Sequence, residues 1–159
     1  MHKRSLLSLV GWVALVAGAA TLGALASREA ASFYAQLTLP AWAPPAKLFG
    51  PVWSALYLLM AVAVWRVDTS PSRTRGAAVL FAVQLAVNAL WSWLFFHWHA
   101  GAAALVDIVV LDALVVATCM RFARSDRFAA VLFAPYLAWI AFATVLNVAV
   151  WRANPALLG

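Results

Sequence analysis

Residues 39–57 read LPAWAPPAKLFGPVWSALY. Four prolines, two tryptophans and a lysine are crowded there between two strongly apolar segments. A tether has no use for large aromatic rings. Pro44, Pro45 and Pro51 each fix a backbone φ and remove an N–H donor, so the stretch is stiff and its shape is preset. Pro51 suits the first position of a helix. The preceding REAASFYAQL is expected to form a short interfacial helix with Phe33, Tyr34 and Leu37 on one face. Residues 27–50 are thus expected to cap a bundle and to roof a cavity.

The bundle follows from composition. Of 159 residues, 67% are hydrophobic and 10% charged, whereas soluble domains are nearer half apolar and a quarter charged. A soluble core of this length could not absorb so much apolar surface, but a chain surrounded by lipid can. Five spanning helices are predicted near residues 5–26, 51–67, 76–97, 101–122 and 128–151. The expected fold is therefore an all-α membrane protein: five transmembrane helices, with a long structured loop between the first two, in a single domain over residues 1–159. DTSPSRTRG at 68–76 reads as a polar turn, His97 to Gly101 as a tight one and RFARSDR at 121–127 as a charged one. The start has signal-peptide features, with a basic n-region and Ala24-Leu25-Ala26 as a cleavage site. Its run from Leu6 to Ala26, at about 20 residues, is long enough to span, and a retained first helix is preferred.

The net charge of +6 does not point to nucleic acid, because the basic residues sit at the ends of apolar runs. Lys3, Arg4, Arg66, Arg73, Arg75, Arg121, Arg124 and Arg127 fall on one side, and Arg28, Lys47 and Arg152 on the other. The positive-inside rule then places the N-terminus in the cytoplasm and the 27–50 loop outside. In the first segment Ala14 with Gly18, and Ala19 with Gly23, form small-xxx-small pairs that permit close helix approach, within the bundle or between protomers.

Three stripes supply walls for the expected cavity. Trp53, Tyr57 and Met60 share a face of the second segment. Gln84, Asn88, Trp91, Ser92 and Phe95 line up on the third. Trp139, Ala143, Leu146 and Asn147 do so on the fifth. Amides in a membrane helix must face inward, where they bond other helices or a ligand. Asp107 and Asp112 lie within the fourth segment, where a carboxylate is costly and suggests function. Five residues apart, they do not share a face and make a poor acid/base pair. His97 and His99 read as parts of an interfacial turn rather than metal ligands, and Cys119 as a small buried residue. No nucleophile set, P-loop or dinucleotide fingerprint is visible, and no pair of broken helices argues for transport.

The run Trp42-Ala43-Pro44-Pro45 with Phe49, Pro51, Trp53 and Tyr57 resembles the TspO/MBR family of tryptophan-rich sensory and translocator proteins. Gln84, Asn88, Trp91, Ser92, Phe95 and Phe96 match the family's third helix. Pro135, Tyr136, Trp139, Phe142, Ala143, Thr144, Leu146 and Asn147 match its fifth. The resemblance implies a multi-pass protein of the bacterial cell membrane, or of the outer membrane as for some members, and often a homodimer. It implies no required cofactor or metal, with a porphyrin, haem or another apolar small molecule (a sterol, a benzodiazepine or an isoquinoline) as ligand. Carried over by position, Tyr34, Pro44, Asn88, Asp107, Ala143 and Asn147 match pocket positions. Trp53 and Trp139 match tryptophans tied to light-dependent porphyrin breakdown, a candidate catalytic role. The animal sterol motif is broken, because Ala143 to Arg152 contains no tyrosine. Binding for sensing, trafficking or stress regulation is the preferred function, with a light-dependent enzyme and a transporter as alternatives. Trp42, Trp53 and Trp139 would stack on the macrocycle, while Lys47 or Arg28 would meet its carboxylates.

Overall fold

A computed structural model describes residues 3–72, 74 and 76–159, with Lys3 and Arg4 described in backbone only. The expected contributions of Lys3, Arg4, Arg73 and Arg75 to the charge asymmetry thus lie outside the described side chains. Among the described residues seven α-helices follow one another: α1 (Lys3–Ala26), α2 (Ala30–Tyr34), α3 (Phe49–Thr69), α4 (Ala77–Ser92), α5 (Gly101–Ser125), α6 (Arg127–Ala153) and α7 (Pro155–Leu158). A 3₁₀ turn at Ala46–Leu48 leads into α3, and a π-helical segment at Trp93–His97 prolongs α4. Five of these stretches are long and apolar enough to cross a membrane. They pack as a closed ring in the order α1, α3, α6, α5, α4 and back to α1.

The boundaries have local causes. Asp126 is the single residue between α5 and α6, and its carboxylate accepts from the amides of Phe128 (2.8 Å) and Ala129 (3.2 Å). That cap satisfies donors that a helix start leaves open. Desolvation would raise the Asp126 carboxyl, but these bonds and the Arg66 guanidinium, 2.7 Å away, hold it below the usual range. The charged turn expected at 121–127 therefore shrinks to one residue, because α5 runs on through Arg121 and Arg124 to Ser125. Pro51 is the third residue of α3 rather than the first; it still lies in the opening turn, where no N–H is needed. Gly76 enters α4 at φ 80°, a left-handed conformation suited to glycine.

Two apolar clusters fill the ring. At one end Phe81, Phe122 and Phe133 stack within 5.2–6.1 Å around Met60 and Val64. At the other, the cap end, Phe33, Tyr34 and Leu37 are buried against Phe95, Leu146 and Val150. The short helix before the proline run exists as expected, and the predicted face is the one that it buries. Asn154 then pins the cap: its Oδ1 accepts from the Thr38 amide (2.7 Å) and its Nδ2 donates to the Thr38 carbonyl (3.0 Å). A second clamp is the His99 imidazole, which lies flat on Phe33 with centroids 4.0 Å apart. His99 itself has φ 52°, so this corner between α4 and α5 is a tight one.

Candidate ligand-binding site

Beneath the cap lies a cavity of about 520 Å³. Ligand sites typically run from ~300 to 1,000 Å³. One side of the wall is aromatic. Phe49, Trp53 and Tyr57 enter from α3, Trp91 and Phe96 from α4 and its π-helical extension, and Trp139 from α6. Their rings brace one another: Phe49 stands edge-on to Trp139 at 5.9 Å and to Tyr34 at 5.6 Å. The other side is made of small residues. Ala20, Gly23 and Ala24 of α1, Ser27 just beyond it, and Ala30 and Ala31 of α2 line it there.

Half of the polar side chains on the wall already donate within the protein: Tyr34, Ser54, Tyr57 and Trp91. The Tyr34 hydroxyl donates to the Pro44 carbonyl (3.1 Å), which ties α2 to the proline run. Burial pushes the Tyr34 phenol up, so it stays a neutral donor. The Tyr57 hydroxyl donates to Asn88 Oδ1 (3.0 Å), and the Trp91 indole N–H to Asn147 Oδ1 (3.1 Å). Asn147 in turn donates to the Gly101 carbonyl at 3.4 Å. The indole N–H groups of Trp53 and Trp139 have no hydrogen-bond partner among the described residues. Each therefore brings to the lining a donor not used within the described residues.

The sequence-derived residues separate into three groups. Tyr34, Trp53, Trp91, Trp139 and Ala143 meet at the cavity. Leu146 and Asn147 line a recess of about 30 Å³ that adjoins it through Tyr34, Phe49, Trp91 and Ala143. Trp42, Pro44, Asn88 and Asp107 lie outside the lining. Trp42 is half exposed and packs edge-on against Phe142 (5.8 Å) on the outside of the cap. Pro44 and Asn88 act one step back, as acceptors for the two tyrosines. Asp107 is buried, and its Oδ2 has no hydrogen-bond partner among the described residues. Asp112 accepts from Thr144 (2.7 Å) across the α5–α6 contact, away from the cavity. Met60 and Gln84 also face inward but join the packed core; Gln84 accepts from the Tyr136 hydroxyl at 3.0 Å.

The α1 wall was missed from sequence. Alanines, glycine and serine carry no ring or charge to mark them, and the small-residue spacing was the only signal. The structure divides that spacing. Gly23 faces the bundle, where an added Cβ would lie 3.4 Å from Ser92 Oγ, and Ala19 is buried. Ala14 and Gly18 point outward.

Among the described residues, no histidine, cysteine or methionine lines the cavity. Among the described residues, no three His, Cys, Asp or Glu side chains form a metal cluster. The arrangement is therefore suited to holding an apolar body by ring contact, with a few fixed donors for orientation.

A family model described as "TspO/MBR family" matches residues 12–152. The chain is 39% identical over 149 residues to "Protein CrtK" of Rhodobacter capsulatus, covering 92% of this chain and 91% of that protein. It is 39% identical over 131 residues to "Tryptophan-rich protein TspO" of Chlorobaculum tepidum, covering 80% and 83%. With "Translocator protein" of Homo sapiens it shares 39% identity over 132 residues, covering 79% and 77%.

Proposed function

Because the chain belongs to the TspO/MBR family, and is a multi-pass membrane protein, we propose that its cavity binds a porphyrin- or haem-type tetrapyrrole. The role is sensing, trafficking or stress regulation in a bacterial membrane. The observation that supports this most is the meeting of Trp53, Trp91 and Trp139, from three helices, around one pinned-down cavity. A flat macrocycle gains from rings that are already fixed, since little ordering remains to be done on binding. With no imidazole or sulfur in the lining, ring stacking rather than iron ligation is the binding mode, and free porphyrin should serve as well as haem. Arg28 and Lys47 are exposed and directly follow the lining residues Ser27 and Ala46, where they can meet carboxylate edges. Titration with protoporphyrin IX in the dark tests this. Saturable quenching of porphyrin fluorescence is expected, and its absence would refute the assignment.

A second reading, light-dependent oxidation of the bound porphyrin, is favoured by the unpartnered indoles of Trp53 and Trp139 on the wall. Phenylalanine keeps a ring but is far harder to oxidise. Trp53→Phe with Trp139→Phe should keep most dark binding and lose the photoproduct under illumination. Unchanged photoproduct would remove both residues from that chemistry.

The protein is further inferred to form a homodimer, with its arginine-rich end in the cytoplasm. Gly11, Ala14 and Gly18 are exposed along one face of α1, where a second copy could approach closely. Cross-linking of Ala14→Cys protomers tests the contact.

A further inference from the structure

We propose that the cavity is loaded sideways, by an amphiphile already dissolved in the membrane, through the gap between α1 and α3. The cargo named rests on the ligand reading above; the route stands on four separate observations. First, the lining residues that are exposed cluster on one side. They are Ala24 of α1, Ala31 of α2, Ala46 of the 3₁₀ turn, and Gly50 and Ser54 of α3. The lining residues of α4 and α6 are at least half buried. Secondly, every one of these mouth residues is small, and a Cβ added at Gly50 would meet nothing within 4 Å. No large side chain has to swing aside there.

Thirdly, the rim is apolar. Leu22 (51% exposed) and Leu25 (39%) flank the mouth on α1, and Leu58 (68%) lies one turn below Ser54 on α3. Such a rim suits lipid and not water. Fourthly, among the described residues the hydrogen bonds between the helices that frame the gap lie at the far end. The Trp65 indole donates to the Ser5 carbonyl (2.9 Å), while Ser8 (2.6 Å) and Trp12 (3.3 Å) donate to Asp68. Near the mouth no hydrogen bond joins α1 to α3 among the described residues. Hydrogen bonding between the pair is thus confined, among the described residues, to the distal end.

The route from above is bolted by contrast. The Asn154 bonds to Thr38, the Tyr34–Pro44 bond and the His99–Phe33 stack all hold the cap to its neighbours. The cargo that fits such a door has an apolar body that partitions into lipid and an anionic edge that stays at the interface, near Arg28 and Lys47.

Two measurements test the route. In a Cys119→Ser background, Ser54→Cys is labelled with a nitroxide in proteoliposomes, and its collisions with oxygen and with a water-soluble nickel chelate are compared. Oxygen should dominate; dominance of the nickel chelate would overturn the lateral door. In the same background Ala24→Cys with Ser54→Cys is bridged by a bis-maleimide, the unbridged protein serving as folding control. Bridging should slow uptake of protoporphyrin IX from vesicles about tenfold or more, and slow its release from preloaded protein similarly, whereas Asn154→Ala should change uptake by no more than about twofold. Uptake at the unbridged rate, or a large acceleration by Asn154→Ala, would place the entrance in the cap instead. If the unbridged protein binds no protoporphyrin, the ligand assignment fails, and the nitroxide comparison still decides the route.

Discussion

Asn154→Ala should loosen the cap without unfolding the bundle. In the structure Asn154 is buried and closes a reciprocal pair with Thr38, accepting at 2.7 Å and donating at 3.0 Å, so it imitates a strand partner for a stretch of loop that has none. Each such bond contributes about 1 kcal/mol net, and stranding a fully buried partner would cost more. Thr38 is exposed, so water can recover part of the loss, and the pair is worth about 1–2 kcal/mol. Since 1.4 kcal/mol is tenfold, the open population of the cap should rise about 5- to 30-fold. Hydrogen exchange of the amides over residues 35–43 in nanodiscs reads this directly, with Thr38 as the principal reporter. Asn154→Asp keeps the acceptor for the Thr38 amide and should retain more protection than alanine does. Exchange of the Thr38 amide at the parent rate in Asn154→Ala, with the spanning helices intact, would refute the pinning.

Ala143→Thr adds a branched, polar side chain at the cavity wall beside Trp139 and should weaken protoporphyrin binding by about 1–3 kcal/mol in a dark titration, with little effect on thermal stability. Gly101→Ala should instead destabilise the fold, because the new Cβ would collide with the Trp151 ring and lie 2.8 Å from the Leu158 carbonyl; a lowered melting midpoint in detergent checks it. The Asp126 carboxyl is held below its ordinary value, so its stabilising contribution is full above the unfolded value of about 4 and is lost as pH falls through the lowered folded value. The melting difference between the parent and Asp126→Asn should therefore narrow on acidification below that range, and a constant difference would deny the linkage.

The five spans were legible because lipid imposes a crude rule: long apolar runs, broken by proline, glycine or charge. The cap was legible for a different reason, since prolines dictate backbone shape by themselves. What escaped was the side to which a residue contributes. Asn88 and Gln84 sit on the inward stripe with Trp91, as expected, yet their partners are the hydroxyls of Tyr57 and Tyr136, while Trp91 and Ser92 one turn on face the cavity. A helical stripe wide enough to serve two neighbours cannot say which one it serves. Trp42 keeps company with the proline run, which suggests a ring for the ligand, but φ restraint says nothing about where the indole beside it points. The α1 wall and the mouth were invisible because their contribution is space. Ala24, Gly50 and Ser54 matter by what they leave out, and single-sequence patterns register what is present.

The π-helical segment carries a last consequence. Its wider turn brings both the fourth and the fifth residue after Trp91 alongside that indole: Phe95 stacks on it at 5.1 Å and Phe96 stands edge-on at 5.6 Å. The Trp98 amide closes the turn onto the Trp93 carbonyl at 2.8 Å. An ordinary α-turn has room for fewer such neighbours, and π-turns of this kind are rare outside functional regions. The turn spans one residue more than an α-turn, and that residue goes into the aromatic corner that it builds. Losing one codon between 93 and 97 would leave a helix of more regular form and rotate Phe96 off the cavity wall. Length variation here would reshape the cavity wall at the end of the third span, where a frame-preserving deletion leaves most of the spanning helix in place.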